Sequence, residues 1–153
     1  MLDKDSLEKI KEITKEFFEK TTFEVEIEFL PQRDFTLPIN LKTENPQILI
    51  GERGQTLSEI QHLLKAILKK RIQEKFYIDL DINNYKKEKI EYLKEMARSI
   101  ADEVALTKKE KILPPMPAYE RRIIHLELAS RSDVTTESIG QEPERKVVVR
   151  PYP

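Results

Sequence analysis

Two of the three glycines in this 153-residue chain lie three positions apart, at Gly51 and Gly54. Glycine gives up more backbone freedom on folding than any other residue, so a chain that uses it this sparingly has a local need for it. The pair stands between a short apolar segment and a long amphipathic one. A loop without Cβ atoms can approach a phosphodiester closely, and the start of the following helix favours an anion. The pattern therefore predicts either a tight helix–helix turn or a phosphate-contacting loop.

Hydrophobic periodicity places this loop in a defined order of elements. Apolar residues at helical spacing predict helices over residues 5–20 and 55–71, with a short apolar helix just before the loop. Strict alternation predicts three strands, over residues 23–29, 35–41 and 76–82. Pro38 favours an edge position for the second of these strands, because proline cannot donate a ladder hydrogen bond. The first 83 residues therefore indicate helix, strand, strand, short helix, glycine loop, helix, strand.

A second unit is predicted after the polar junction NNYKK at residues 83–87. Helical spacing continues from there to about residue 106, and AYERRIIHLELA predicts a further helix. The segment KILPPMP is extended by its prolines, VTTESIGQEPER contains a turn around Gly140, and KVVVRPYP is a short apolar strand ended by proline. The inward positions predicted for the first of these helices are Ile90, Leu93, Ala97, Ile100 and Val104.

At the glycine loop the chain resembles a known family. The order of elements is that of a type II KH domain, and LIGERGQTLSEIQHLLKAILKK resembles the core of that domain in the bacterial Jag, or SpoIIIJ-associated, proteins. The resemblance implies that Gly51, Glu52, Arg53 and Gly54 clamp the backbone of about four single-stranded nucleotides, with the bases in an apolar groove beside the loop. Glu52 departs from the usual basic pair and places a carboxylate where a phosphate should pass.

A second motif supports the same family. Arg121 and His125 are four residues apart in YERRIIHLELA, so a helix projects them on one face, beside a core-facing stripe. With its flanks LPPMPAYERRIIH and TTESIGQEPERKVVVRP, this motif resembles the R-3-H domain of proteins that bind single-stranded nucleic acid. Arginine offers a planar fork to a phosphate, and histidine adds a donor that gains charge as pH falls. Arg145 and Arg150 are expected to help from the segment that follows.

Together the two resemblances imply an α+β chain made of two small α/β-sandwich domains. Residues 1–83 are expected to form a type II KH domain, with helices on a three-stranded sheet. Residues 84–153 are expected to form an R-3-H domain, with helices on a small sheet. Many Jag-type proteins carry a further N-terminal domain, but this chain begins at the KH helix, so that domain's functions are not expected here.

Composition argues against several other classes of protein. The absence of cysteine excludes a disulfide framework, a thiolate metal site and a cysteine nucleophile, and it favours the cytoplasm. Two histidines and scattered acids form no ligand-like cluster, and no Ser or Thr stands in a nucleophile elbow, so we expect no metal, cofactor or catalysis. The charged N-terminus suits neither a secretory signal nor a membrane span. A net charge of −1 argues against nucleic acid, yet residues 65–75 hold five Lys or Arg against one Glu.

The sequence therefore predicts a cytoplasmic, non-catalytic protein that holds single-stranded RNA, or single-stranded DNA, as an RNA chaperone or post-transcriptional regulator. The family often pairs with a small KH-only protein, so a homodimer or such a heterodimer is expected. The alternative is a protein-interaction adaptor in which only the second domain contacts nucleic acid. The basic run at residues 65–75 is equally consistent with a solvated helix face. The candidate nucleic-acid-binding residues are Gly51, Glu52, Arg53, Gly54, Lys65, Lys69, Arg121, His125 and Arg145.

Overall fold

A computed structural model describes residues 1–153, which form two compact units, Met1–Lys86 and Lys87–Pro153. The chain contains five α-helices and two three-stranded sheets, which confirms the predicted α+β class. The division between the units falls in the first turn of a helix that begins at Tyr85, and the domain boundary expected after residue 83 stays a prediction. None of the helices has the length and apolar composition that a bilayer-spanning segment requires.

The first unit has a mixed sheet and three helices. Its elements are α1 (Lys4–Glu19), β1 (Glu26–Phe29), β2 (Thr36–Lys42), α2 (Pro46–Ile50), a 3-10 turn (Glu52–Gly54), α3 (Gln55–Lys69) and β3 (Tyr77–Ile82). The sheet order is β1-β2-β3, with β1 antiparallel and β3 parallel to β2. The alternating apolar residues of β2 and β3 share one core with the apolar stripes of α1 and α3. The most buried side chains include Ile10, Leu37, Ile39, Leu41, Leu57, Leu64, Leu68, Leu80 and Ile82.

The position of β2 shows that the edge prediction from Pro38 was wrong. β2 is the central strand, paired with β1 on one side and β3 on the other. The Pro38 carbonyl accepts a hydrogen bond from the Leu30 amide at 3.0 Å, and a proline N–H would point to that same side. The β1 strand has already ended there, at Phe29. The proline therefore removes a donor only at the end of the β1–β2 ladder, where the loss costs little.

Two aromatic residues are less buried than the strand prediction implies. β1 begins at Glu26 rather than at Phe23, whose side chain is 41% exposed. β2 begins at Thr36, one residue after Phe35, which is 42% exposed. Both phenylalanines continue the alternation in the sequence but lie outside the paired registers. Alternation alone thus overextends both strands at their N-terminal ends.

The second unit packs two helices on a small antiparallel sheet. Its elements are α4 (Tyr85–Thr107), β4 (Lys111–Ile112), α5 (Ala118–Leu128), β5 (Val134–Ile139) and β6 (Lys146–Pro151), with sheet order β4-β6-β5. The prediction of one terminal strand was incomplete, because β5 has the polar sequence VTTESI and carries no hydrophobic alternation. Ile90, predicted to face inward, is 37% exposed. The core of this unit includes Leu93, Ala97, Ala101, Val104, Ile124, Leu128, Val147 and Val149.

Candidate nucleic-acid interface

The glycine loop, residues 51–54, joins α2 to α3 through the 3-10 turn. Gly51 has φ 72° and ψ −178°, a combination that essentially only glycine adopts. Gly54 has φ 78° and ψ 14°, in the left-handed helical region. Both glycines therefore hold backbone conformations that would strain a residue with a side chain.

Contacts behind the loop exclude a side chain at Gly51 and crowd one at Gly54. A Cβ atom on Gly51 would lie 2.1 Å from Oγ1 of Thr56, in the first turn of α3. A Cβ atom on Gly54 would lie 3.2 Å from Cε1 of Tyr85. The Tyr85 ring packs against the core of the first unit, so it supports the loop from a fixed position. The glycines thus allow the loop to fold tightly against α3 and Tyr85.

The two central residues of the loop carry opposite charges. Glu52 and Arg53 are both exposed, and neither forms an ion pair. Arg53 has φ 55° and ψ 23°, a left-handed conformation that is uncommon outside glycine. α3 begins at Gln55 with no side chain capping its N-terminus, and the Gln55 amide donates to the Glu52 carbonyl, so only the later amides of the first turn can meet an anion. The loop therefore offers an anion an exposed guanidinium and an uncapped helix start, opposed by one carboxylate.

The free edge of the sheet beside α3 is the second feature of this surface. On β3 the amides of Ile78, Leu80 and Ile82 point away from β2. Gln61 of α3 accepts the Leu80 amide at 2.9 Å, and Asp81 Oδ1 accepts the Ile82 amide at 2.8 Å. The Ile78 amide has no partner. α3 therefore runs along the edge of β3 and is fixed to it at Gln61.

Lys65 and Lys69 lie on the side of α3 that faces this edge. They follow Gln61 at intervals of four residues, which places all three on one helix face. The Lys65 ammonium is 5.4 Å from the ring centroid of Tyr77, the first residue of β3, and Lys69 lines the same pocket as that ring. Neither ammonium forms an ion pair. The two lysines predicted from the basic run thus lie beside the free strand edge.

Arg121 is buried, whereas the spacing of the Arg-xxx-His motif predicted a solvent-facing residue. The residue is only 7% exposed. Its Nε donates to the Met116 carbonyl at 3.1 Å, and its guanidinium also pairs with Glu142. The chain segments before and after α5 therefore cover this part of the helix. A phosphate would reach the guanidinium by replacing Glu142, whose side chain is 57% exposed.

His125 is held between two hydroxyl groups of β5. Its Nδ1 lies 2.7 Å from Oγ1 of Thr136, and its Nε2 lies 2.7 Å from Oγ of Ser138. Because a hydroxyl can donate or accept, the neutral and the protonated ring can both be satisfied. Partial burial and, secondarily, the positive charge of Arg121 lower the pKa of His125 below its ordinary value. The neutral form of the ring therefore predominates at neutral pH.

Arg145 lies near Arg121, whereas Arg150 is already paired. The Arg145 guanidinium donates to the Gly140 carbonyl at 2.6 Å, and the Arg145 carbonyl accepts the Met116 amide at 3.2 Å. Met116 is also the residue whose carbonyl holds Arg121. Arg150 is bound by two carboxylates of neighbouring strand segments. The structure therefore brings Arg145 to the segment that anchors Arg121 and keeps Arg150 engaged elsewhere.

Three residues of the α3–β3 surface were not among the predicted site residues: Gln61, Lys75 and Tyr77. The spacing of Gln61 from Lys65 and Lys69 is visible in the sequence and would have placed it on their helix face. Tyr77 carries no such signal, because its place beside α3 depends on β3 being the edge strand next to that helix. Alternation predicts a strand but not its neighbours.

Comparison with known protein families matches both halves of the chain. A family model described as KhpA/KhpB, KH domain matches residues 8–80. A second model, of the R-3-H domain, matches residues 91–151. The two matches occur in the predicted order, which confirms the family resemblance drawn from the glycine loop and the Arg-xxx-His motif.

Three similar curated proteins each have the name RNA-binding protein KhpB. The one from Clostridium symbiosum is 41% identical over 111 residues, which are 72% of this chain and 50% of that protein. The one from Lactiplantibacillus plantarum is 38% identical over 72% of this chain and 34% of its own length. The one from Bacillus subtilis is 34% identical over 74% of this chain and 56% of its own length. The chain thus spans between about a third and just over half of the length of these relatives.

Proposed function

Because the chain belongs to the KhpB-like, or Jag, proteins, with a KhpA/KhpB-type KH domain followed by an R-3-H domain, we propose that it binds single-stranded RNA. The KH unit contacts the sugar-phosphate backbone at the glycine loop, and the R-3-H unit adds contacts from the helix that carries Arg121 and His125. The observation that carries the proposal is the geometry of the glycine loop. The glycines close the turn against Thr56 and Tyr85, and this turn presents the exposed, left-handed Arg53 just before the start of α3, where a phosphate can approach.

Arg53 adds a specific argument for an anionic ligand at the loop. A non-glycine residue in the left-handed region costs free energy, on the order of 1–3 kcal/mol for strained backbone positions. Arg53 holds this conformation at an exposed position and makes no ion pair within the chain. Asparagine or glycine would fit the backbone better, so a guanidinium here is consistent with a role in contacting a ligand rather than in folding.

The exposed carboxylate of the loop gives the sharpest test. Replacing Glu52 with Lys should strengthen RNA binding, because one repulsive charge becomes one phosphate contact. Each such contact on a single strand steepens the plot of log affinity against log salt by about 0.7. Fluorescence anisotropy of a labelled single-stranded RNA at several salt concentrations measures both quantities. Glu12→Lys is the matched control, because it makes the same charge change at an exposed position of α1.

The control separates a local contact from a change in net charge. We expect Glu52→Lys to exceed Glu12→Lys in both affinity and salt slope, and Gly54→Asp to bind more weakly than the wild type. Melting curves of all three variants check that the fold persists. If Glu52→Lys and Glu12→Lys change affinity and salt slope equally while both variants stay folded, the glycine loop does not bind the RNA backbone.

In the R-3-H unit, we propose that a phosphate competes with Glu142 for Arg121. The exposed carboxylate would leave, and the guanidinium would keep its bond to the Met116 carbonyl as a fixed anchor. A bound phosphate also favours the protonated form of His125, so RNA affinity should rise as pH falls and the pKa of His125 should be higher in the complex. Because the pKa of the free protein is lowered, this rise begins at a lower pH than for an unperturbed histidine.

The biological role that fits these contacts is non-catalytic. We place the protein in the cytoplasm as an RNA chaperone or post-transcriptional regulator, because it lacks cysteine and its relatives are named for RNA binding. Backbone contacts at the loop are available to single-stranded DNA as well, and competition between RNA and DNA of one sequence separates the two.

A second candidate, a protein-interaction adaptor, is favoured by a groove between the end of α1, β1 and the segment before α2. Phe23 and Ile48 expose 41% and 61% of their surface there, beside the carboxylates of Glu19, Glu24 and Glu44. An apolar, acidic groove suits a protein partner better than RNA. The partner we propose is a second KH chain, in a homodimer or with a small KH-only protein.

The molar mass from light scattering, measured over a range of protein concentrations, tests whether the groove is an interface between KH chains. If the groove is an interface, Phe23→Ser should dissociate the assembly without changing RNA affinity. A monomer at every concentration, with and without the KH-only protein, would contradict it.

A further inference from the structure

Tyr77 lies in a cluster of lysines at the start of β3. The residue is 44% exposed, and the ammonium groups of Lys65 and Lys75 lie 5.4 Å and 5.6 Å from the ring centroid. Lys69 lines the same pocket, and none of the three lysines forms an ion pair. The one carboxylate of the pocket, Glu74, accepts a backbone amide at 3.1 Å. An exposed aromatic residue thus lies beside two ammonium groups, in a pocket that holds three lysines and one carboxylate.

This cluster and the glycine loop lie at opposite ends of the α3–β3 edge. Tyr85, against which Gly54 packs, follows the end of β3, whereas Tyr77 begins that strand. A strand of this length extends about 17 Å. Gln61 and Lys65 line the α3 side of the path between the two ends. A single-stranded RNA that runs from the glycine loop along this edge would therefore reach Tyr77 within a few nucleotides.

We propose that Tyr77 is a stacking platform for one unpaired base, with Lys65, Lys69 and Lys75 contacting the phosphates beside it. The inference rests on the proposed RNA binding and extends it beyond the roughly four nucleotides of the glycine loop. Exposed aromatic rings in a positive groove hold single strands without reading their sequence, because every base has a stacking face. The long lysine side chains move aside from the ring when a base stacks and then meet its phosphates.

The combination of ring and lysines favours a nucleotide over an acidic protein segment. Carboxylates of such a segment would satisfy the lysines and leave the face of the Tyr77 ring without a partner. A nucleotide uses both, since its phosphate binds the ammonium groups and its base covers the ring.

Fluorescence of a tryptophan placed at position 77 tests the platform directly. The chain contains no other tryptophan, so all of the emission comes from that site. In the Tyr77→Trp variant, a single-stranded RNA of about eight nucleotides should quench the emission, whereas one of about four should bind the loop without quenching. Tyr92→Trp is the matched control, because Tyr92 is 59% exposed and lies 5.7 Å from the Lys89 ammonium in the second unit. Its emission should not change with either RNA.

Affinity gives the second readout. Tyr77→Leu should weaken binding of the longer RNA by about 5- to 150-fold, the range for loss of one stacked base, while Tyr77→Phe keeps it. If the longer RNA binds Tyr77→Leu as well as the wild type and leaves the Tyr77→Trp variant unquenched, the platform is overturned and the RNA-binding proposal stands. Quenching by polyglutamate and not by RNA would also overturn it in favour of an acidic protein partner. If no RNA binds the wild-type chain, both proposals fail.

Discussion

Gly51 and Gly54 are constrained to different degrees, although the sequence makes them look equivalent. Gly51 combines a glycine-only backbone conformation with Thr56 at 2.1 Å from a would-be Cβ atom. Gly54 lies in the left-handed helical region, where other residues cost about 1–2 kcal/mol, and its neighbour is the edge of the Tyr85 ring at 3.2 Å. The pair therefore serves two purposes: Gly51 closes the turn, and Gly54 keeps the loop against Tyr85.

We predict that Gly51→Ala lowers the free energy of unfolding of the first unit more than Gly54→Ala does. The strained conformation alone costs on the order of 1–3 kcal/mol, and displacing Thr56 adds to it. Urea unfolding monitored by circular dichroism measures the difference. Gly140→Ala is the control for backbone strain without a clash. Gly140 also has a positive φ, 83°, but an added Cβ atom would lie 3.4 Å from the nearest atom, the Glu144 carbonyl oxygen. Equal losses at Gly51 and Gly54 would contradict this account of the turn.

The lowered pKa of His125 makes the stability of the second unit depend on pH. Between the folded pKa and about 6.5, the unfolded chain binds more protons than the folded one. The free energy of unfolding should therefore fall as pH drops through about 6.5 and level off below the folded pKa. NMR titration of the His125 ring should give a midpoint below 6.5, and His125→Asn should remove this part of the pH dependence.

The second histidine of the chain provides the control for this prediction. His62 is exposed on α3, in the other unit, so His62→Asn removes an imidazole without touching the hydroxyl pair that holds His125. A His125 midpoint at or above 6.5 would show that burial and Arg121 do not dominate its environment. It would also shift the expected pH response of RNA binding to higher pH.

At the scale of elements, the contact between α3 and β3 orders the proposed RNA path. Gln61 alone fixes the helix to the free strand edge by a side-chain hydrogen bond to Leu80, and it also accepts from the Lys86 ammonium at 3.2 Å. This arrangement leaves the Ile78 amide open between Gln61 and the Tyr77 cluster.

Hydrogen exchange should resolve this edge amide by amide. In the wild-type chain the Leu80 amide should be protected and the Ile78 amide should exchange fast, because only the former has a partner. Gln61→Leu should remove the protection of the Leu80 amide and lower the free energy of unfolding by about 1–3 kcal/mol, because that amide is left unpaired. Gln61→Glu keeps an acceptor oxygen and should therefore keep both the protection and the stability. Unchanged protection of Leu80 in Gln61→Leu would contradict the assigned bond.

The elements also show what the sequence could and could not predict. Helices α1 and α3 and strand β3 have strong apolar periodicity, so their existence and type follow from the sequence. The central position of β2 does not, because the cost of Pro38 depends on where β1 ends. β5 was missed because its inward residues Thr136 and Ser138 bond to His125 rather than pack as apolar groups. The same polar contact explains why the environment of His125 could not be predicted.

At the scale of the whole molecule, each unit has its own buried core and its own proposed RNA contacts. Neither unit has a strongly basic composition, and the loop of the first carries a carboxylate, so each alone is expected to bind weakly. Two weak sites joined by a continuous chain gain affinity through effective concentration when one RNA reaches both. We therefore expect a single RNA strand to contact the glycine loop of the KH unit and the Arg121 helix of the R-3-H unit.

Amide NMR mapping of the intact chain during titration with one single-stranded RNA shows whether both units contact the same strand. We expect the signals of residues 51–55, of the α3–β3 edge at Lys65 and Tyr77, and of residues 121–125 to move together and to saturate at one RNA per chain. Shifts confined to the second unit, with the glycine loop unaffected at saturation, would contradict it and support the adaptor.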